Sequence, residues 1–458
     1  MTPTDPQLDA APRADLQPLA GWGVQPRVDC AVYRPSGAAA IRELIEHAGA
    51  QRTLISRGLG RSYGDPATNA QGVVLHTAMD RFLAFDDTTG VVTAEAGVSF
   101  ADLIEALLPR GWFPAVTPGT KFVTLGGAVA ADVHGKNHHR DGSFNTCVLS
   151  FDLLTPTGEH LTCSRDENTD VFWATLGGMG LTGFILAVTL QMLKVMSARI
   201  DVQTARVGSL DAMLEHFAKT DDDHRYSVSW IDCLARGAKL GRGVVMQGTH
   251  APGNGESDLR PARRRAKTVP FHFPKQALNA LSVKAFNTTY YAKHGSGRHT
   301  EGFGPFFYPL DAVHHWNRVY GRRGFVQYQP VFPEQDGAAG VRAVIEKLSA
   351  AKRSSFLAVL KRMGGQPVGP LGFPMAGLTL AVDMPRGPGL RDFLHELDAI
   401  VLDHGGRVYL AKDAEMTADT FAAMYPRLNE FQQIRRRLDP AGVMASTQAR
   451  RLGIVGAP

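Results

Sequence analysis

From about residue 20 to residue 195, short β-branched and apolar runs alternate with runs of helical spacing. Residues 52–56, 73–76, 91–96, 148–154 and 183–190 are rich in Val, Ile, Leu and Phe and are bounded by turn formers, which predicts strands. Residues 38–48 place Ile41, Leu44 and Ile45 on one face, and 100–108 repeat that period, which predicts helices. Beyond about residue 198 the segments lengthen and aromatics gather: Trp230, Phe271, Phe273, Tyr290, Tyr291, Phe303, Phe306, Phe307 and Tyr308. A second, aromatic-rich domain is expected there. Residues 338–350, 389–404 and 431–438 read as helices and 406–412 as a short strand. Residues 1 to about 20, rich in Pro, Ala and Asp, read as a loose tail, and 250–270 as a mobile surface loop. The fold class is α+β.

Composition narrows the function classes. A chain of 458 residues exceeds one ordinary core, so two or three domains are expected. With 44% hydrophobic and 20% charged residues it is neither disordered nor fibrous. A net charge of +5 over this length does not make a nucleic-acid protein, and basic residues do not alternate with aromatics as a single-strand platform needs. Two basic clusters stand out, Arg260 to Lys267 and Arg435 to Arg437, either solvated surface or contacts for an anionic partner such as a phospholipid surface. Cys30, Cys147, Cys163 and Cys233 lie too far apart for a zinc or redox pair and read as reduced thiols. The polar start lacks an apolar signal core, and no run approaches the roughly 20 apolar residues of a membrane span. A cytoplasmic or peripherally membrane-associated protein is expected.

Three glycine clusters carry the chemistry. Gly58, Gly60 and Gly64 follow the first predicted strand, where glycine permits positive φ and close approach of backbone N–H groups to phosphate oxygens. Tyr63 stands where a third dinucleotide-fingerprint glycine would be and no apolar helix follows, so the loop is not GxGxxG; alone it is equally a turn. Gly126, Gly127, Ala128, Ala130 and Ala131 would let backbone lie against a planar ring system. Gly177, Gly178, Gly180 and Gly183 precede a strand. Together the three suit an extended dinucleotide. His134, His138 and His139 could suggest a metal, but looped backbone points such side chains apart and no carboxylate or thiol cluster completes a site, so no metal is expected.

The run Arg57-Gly-Leu-Gly-Arg-Ser-Tyr-Gly-Asp65, the segment Pro118-Gly-Thr with Val123-Thr and Gly126-Gly-Ala, His134-Gly-Lys-Asn-His-His139 and Phe172-Trp-Ala-Thr through Gly183 together resemble the vanillyl-alcohol-oxidase (PCMH-type) FAD-linked oxidoreductases. Within them they resemble the decaprenylphosphoryl-β-D-ribose 2-oxidase branch, the oxidising half of an epimerase pair. Phe307-Tyr-Pro-Leu-Asp311, Trp316-Asn-Arg-Val-Tyr-Gly321, Gln327-Tyr-Gln329, Tyr409-Leu-Ala-Lys-Asp413 and Met424-Tyr-Pro-Arg427 extend the likeness over nearly the whole chain.

The resemblance implies an FAD-binding domain at 20–197, a substrate (cap) domain built on an antiparallel sheet at 198–410, and a segment 411–458 returning to the FAD domain. It implies FAD contacts at Ser56, Arg57, Gly58, Leu59, Gly60, Arg61, Ser62, Tyr63 and Gly64, at Gly119, Thr124, Leu125, Gly126 and Gly127, at Ala131, Asp132, Val133, His134, Gly135 and Asn137, and at Ile185 and Tyr409. A non-covalent flavin is expected, although a histidine near His134 carries the flavin covalently in some relatives.

Alcohol oxidation needs a group to take the hydroxyl proton while the carbon gives hydride to flavin N5. Lys412 is the first candidate, then Lys136 and His134, with Tyr63 facing the substrate side. Gln329 and Lys361 would position sugar or phosphate oxygens, with Tyr308 and Trp230 as walls. Ala381 and Thr379 stand where the branch commonly carries a cysteine and an asparagine, so a nucleophilic cysteine is not part of the expected mechanism. The expected reaction is oxidation of the 2-hydroxyl of a polyprenylphosphoryl pentose, with a separate NAD(P)H-dependent short-chain reductase completing epimerisation. The alternative is a soluble alditol or sugar-lactone oxidase.

Overall fold

The computed structural model describes residues 13–48, 52–253, 255–260, 266–274, 278–353, 355–365 and 369–456. Among these residues the first half of the chain builds two sheets. One has four strands in the order Asp15–Leu19, Val28–Tyr33, Val73–Leu75, Ile55–Arg57, the last three parallel. The other is antiparallel: Phe82–Asp86, Val91–Glu95, Phe184–Lys194, Val148–Leu154 and His160–Ser164, with Trp112–Pro114 also against Phe184–Lys194. Its central strand is covered on both faces, which explains its unbroken apolar run from Phe184 to Val188. The helix Phe100–Leu107 starts on a capping box in which the Ser99 hydroxyl accepts from Asp102 N–H and the Asp102 carboxylate accepts from Ser99 N–H.

At the end of Phe184–Lys194 the chain passes into a nine-stranded antiparallel sheet. Its path runs Gly297–Gly302, Arg199–Val207, Gly243–His250, Tyr226–Ile231, Ala358–Met363, Gly377–Pro385, Pro330–Pro333 and Arg407–Val408, with Phe325–Tyr328 also against Gly377–Pro385. Helices Gly337–Ala350 and Leu390–Asp403 cover one face through Val341, Val344, Ile345, Leu348, Leu394 and Leu397. Helix Ala280–Lys293 lies against it at Trp230. The antiparallel sheet with flanking helices and the α+β class are as the sequence implies.

After Arg407–Val408 the chain returns to the first sheets. Leu54 N–H donates to Val443 O, Ala445 N–H to Leu54 O, and the Asn69 amide to Ala445 O. Three elements differ from expectation. Residues 15–19, read as tail, form an edge strand against Val28–Tyr33; mostly exposed on both faces, it needs no apolar alternation and so shows none. The strand read at 406–412 shrinks to Arg407–Val408, because Lys412 and Asp413 N–H both turn back to Tyr409 O. Within the 250–270 loop, Lys267–Thr268 pairs with Val313–His314; residues 254 and 261–265, which include Arg263 to Arg265, lie outside the described residues. In the second basic cluster Arg435 is buried and paired with Asp439 at 3.0 Å, and Arg437 pairs with Asp170 at 2.5 Å. Arg435 thus lies inside the fold, while Arg436 and Arg437 are exposed.

Candidate active site

A cavity of about 510 Å³ is walled on one side by the first-half loops and on the other by the nine-stranded sheet. That lies within the roughly 300–1,000 Å³ of small-molecule and cofactor sites. Ser56 to Tyr63, Gly119, Thr124, Gly126, Gly127, Ala131, Val133 to Lys136 and Ile185 line one wall, and Trp230, Gln329, Lys361, Ala381, Tyr409 and Lys412 the other. The loop is pinned at its end: Tyr63 N–H donates to Ala411 O at 2.9 Å, so the returning segment holds the glycine loop in place. Gly58 packs so closely that a Cβ would stand 2.1 Å from Thr124 Oγ1, whereas a Cβ on Gly119 would meet nothing within 4 Å. Small residues keep both approaches to the cavity open.

Four ionisable groups converge at the inner end. Lys412 Nζ sits 4.0 Å from the centroid of the Tyr63 ring and makes no hydrogen bond among the described residues. Burial pushes its pKa down to about 8, with Asp383 pulling the other way. Lys361, buried near Lys136 and Lys412, falls to about 7. Lys136 is lowered to about 8 by burial and donates to Phe306 O, with the ring of Phe306 4.4 Å away. His134 is held well below the ordinary histidine value by burial and then by the Lys361 charge, so its ring is neutral. It is gripped at both nitrogens: Lys361 Nζ is 2.9 Å from Nδ1 and Gln329 Nε2 is 3.0 Å from Nε2. Behind Lys412, the Asp383 carboxyl is raised to about 7 by burial while it accepts from Gln327 Nε2 at 2.6 Å and from Tyr320 OH at 3.1 Å.

Most sequence-derived candidates face the cavity; six do not. Leu125 and Asn137 point into the first-half core, Asn137 donating to Ala115 O and Asp141. Asp132 is buried and accepts from Ser143 and Asn145, so it braces the turn that carries His134. Gly64 packs on the C-terminal segment, where a Cβ would stand 2.0 Å from Asp413 O. Tyr308 turns away to Thr117 Oγ1 and its neighbour Phe307 takes the wall. Thr379 lies behind Gln329, accepting from its amide at 3.3 Å. The three histidines part company: His138 Nδ1 accepts from Gly364 N–H, and His139 Nε2 reaches Asp221 O and His224 O. Sequence reading missed His76, Gln327, Phe286 and Phe356 on the lining. His76 pairs with Ser56 Oγ at 3.2 Å and keeps a buried, unpartnered Nδ1; no motif flags it.

An FAD binding domain pattern matches residues 30–164, and a D-arabinono-1,4-lactone oxidase pattern matches residues 378–452. Decaprenylphosphoryl-beta-D-ribose oxidase of Mycolicibacterium smegmatis is 40% identical over 95% of this chain and 97% of its own length. The chain belongs to the vanillyl-alcohol-oxidase-type FAD oxidoreductases, in the decaprenylphosphoryl-ribose oxidase branch. An uncharacterised protein of Streptomyces coelicolor is 36% identical over 77% of this chain and 99% of its own. L-gulonolactone oxidase of Scyliorhinus torazame is 30% identical over 40% of this chain. This FAD oxidoreductase has the cavity its cofactor requires: glycine-faced backbone at Gly58, Gly60, Gly119, Gly126 and Gly127, and buried His76 Nδ1 and Arg61 Nε without partners. Among the described residues, no helix is long and apolar enough to cross a membrane.

Proposed function

We propose that this enzyme oxidises the 2-hydroxyl of a polyprenylphosphoryl pentose to the ketone, the first half of an epimerisation that a separate NAD(P)H-dependent short-chain reductase completes. The observation that carries the reading is the convergence of Lys412, Lys361 and Lys136 on one cavity whose outer wall is Trp230, Phe286, Tyr290 and Phe356. It is a place for an anionic sugar head with an apolar tail, and likeness to the mycobacterial oxidase over 97% of that protein supports it.

FAD, when bound, supplies the acceptor for the hydride that leaves the carbinol carbon. The chain does the rest. Lys412, with its pKa near 8 and no hydrogen bond among the described residues, takes the hydroxyl proton on Nζ as the neutral amine. Gln329 and Lys361, fixed by His134, orient sugar oxygens, and Lys136 adds positive charge for the phosphate. Tyr63 holds the Lys412 ammonium over its ring face once it is protonated. Non-covalent FAD fits His134, both of whose nitrogens are engaged.

Anaerobic mixing with a prenylphosphoryl ribose should bleach the flavin band at about 450 nm. An unchanged spectrum rejects the substrate. The second reading, a sugar-lactone or alditol oxidase, draws on the lactone-oxidase pattern at 378–452; bleaching by an aldonolactone or xylitol with peroxide release would favour it.

A further inference from the structure

Of the three lysines that reach the cavity, one has an anion behind it. Asp383 is fully buried on the strand Gly377–Pro385, and Ala381, two residues earlier on the same strand face, lines the cavity. The carboxyl thus stands on the cavity side of the sheet, one layer behind the lining. Its hydrogen bonds come from Gln327 Nε2, directly opposite on the neighbouring strand, and from Tyr320 OH. Both donors are neutral, so among the described residues no cation is bonded to Asp383. A buried carboxylate in that position is costly, and an Asn of the same shape would fill the place without the charge.

The cation that the carboxylate reaches is Lys412. Asp383 is the anion acting on Lys412, whereas Lys136 feels Glu301 and Lys361 feels the other two lysines. Packing ties the two groups together. Lys412 Nζ lies 4.0 Å from the centroid of the Tyr63 ring, Phe325 meets that ring edge-on at 5.4 Å, and Tyr320 stacks on Phe325 at 4.0 Å. One block of aromatics therefore fixes both the π face beside the Lys412 nitrogen and the hydroxyl that holds Asp383. A π face with a carboxylate at hand favours an ammonium group over a neutral amine. The ionisable groups around Asp383 are Lys412, Tyr320 and Tyr63, and burial keeps both phenols neutral.

We propose that Asp383 is a positioning residue of the oxidation, a fixed countercharge that acts through Lys412 and stabilises the ammonium formed when that side chain takes the hydroxyl proton. The proposal rests on the role given to Lys412 in the preceding section. In that step the O–H bond breaks and its proton joins the lone pair of Nζ. The electron pair left on oxygen closes the carbonyl as hydride departs to the flavin, and Asp383 neither gains nor loses an atom.

Asp383→Asn keeps the shape and removes the charge. In the holoenzyme, acetylation of Lys412 by acetic anhydride over a pH series, read by peptide mass spectrometry, reports the ionisation of Nζ without any substrate. Its midpoint should fall by about one pH unit in the variant, because loss of the anion favours the neutral amine. Flavin reduction by a prenylphosphoryl ribose should level off at correspondingly lower pH, on a plateau about three- to tenfold below the parent, since the weaker base is the slower one. Tyr320 is outside the cavity lining, and Tyr320→Phe removes one hydrogen bond from Asp383. That variant should lower the labelling midpoint by less and keep the alkaline plateau of the parent, where the carboxyl ionises even without its donor. Should Asp383→Asn fail to retain its flavin, the Tyr320→Phe midpoint decides alone. Unchanged midpoints overturn the proposal, as does a lower plateau without a shifted midpoint, the result expected of a carboxyl that only supports the fold. A shifted midpoint alongside full flavin reduction by Lys412→Met supports the countercharge and removes only the assigned base.

Discussion

In the proposed reaction Lys412 is the base, a role to which burial and position suit an ordinary lysine. Its pKa is pushed down to about 8, and among the described residues its Nζ makes no hydrogen bond. Lys412→Met should slow flavin reduction by about 10²- to 10⁴-fold with FAD still bound; stopped-flow bleaching within tenfold of the parent would exclude the role. The pH profile follows from the sign of the shift. In the proposed reaction the neutral amine is the active form, so reduction at saturating substrate should rise with pH and level off above about 8, and the rise should vanish in the Met variant. Lys412, Lys136, His134, Tyr63 and Gln329 were legible because motifs place them together. Tyr308 and Thr379 were not: at Tyr308 a short helix ends, and whether it or Phe307 meets the cavity depends on rotation at that end, which sequence does not encode. Thr379 alternates on a strand beside Ala381, so both belong to one face, yet Gln329 comes between it and the cavity.

At the scale of elements, the glycine loop is a structure held from outside. Arg451, near the end of the chain, pairs with Asp65 at 2.7 Å and with Asp413 at 2.9 Å, both carboxylates being 3% exposed. One guanidinium thus clamps the loop to the turn that carries Lys412. Arg451→Met leaves two buried carboxylates without a cation, which should cost about 3–5 kcal/mol, read as a lower denaturant midpoint. Asp65 already titrates above the usual carboxylate range because of burial. Without its partner it rises further, so the folded variant holds a proton that the unfolded chain releases, and the deficit should shrink as pH falls from 7 to 5. A deficit that stays constant with pH would dissociate Asp65 from it. Gly64→Ala should be as harmful, since its Cβ meets the Asp413 carbonyl, which cannot swing aside; its retained FAD per chain is the measure. Strands and helices with clean periods were legible, whereas Asp15–Leu19 was not, being an edge strand specified by pairing rather than by an apolar face.

For the whole molecule, the α+β class, the FAD chemistry and the family could be read from the sequence, because the glycine clusters recur in a fixed order along the chain. The shape of the cavity could not, since its two walls come from sheets far apart in sequence and only packing brings them together. On the proposed non-covalent attachment of FAD, acid precipitation should leave the yellow colour in the supernatant. Thermal unfolding should shift upward with added FAD, by about 2.7 kcal/mol at a hundredfold excess over Kd. Colour in the pellet would make the attachment covalent, with the cavity histidines His134 and His76 as the places to look.

The return of the last residues to the first sheets also has a consequence for biosynthesis. Leu54 finds its partners at Val443 and Ala445, and Tyr63 finds its own at Ala411. A ribosome making about 5–20 residues per second therefore leaves the glycine loop without its brace for tens of seconds after it emerges. Cofactor capture then waits until residues 411–445 have been made, and a product that stops before Ala411 would be made in full view of FAD and still come out colourless.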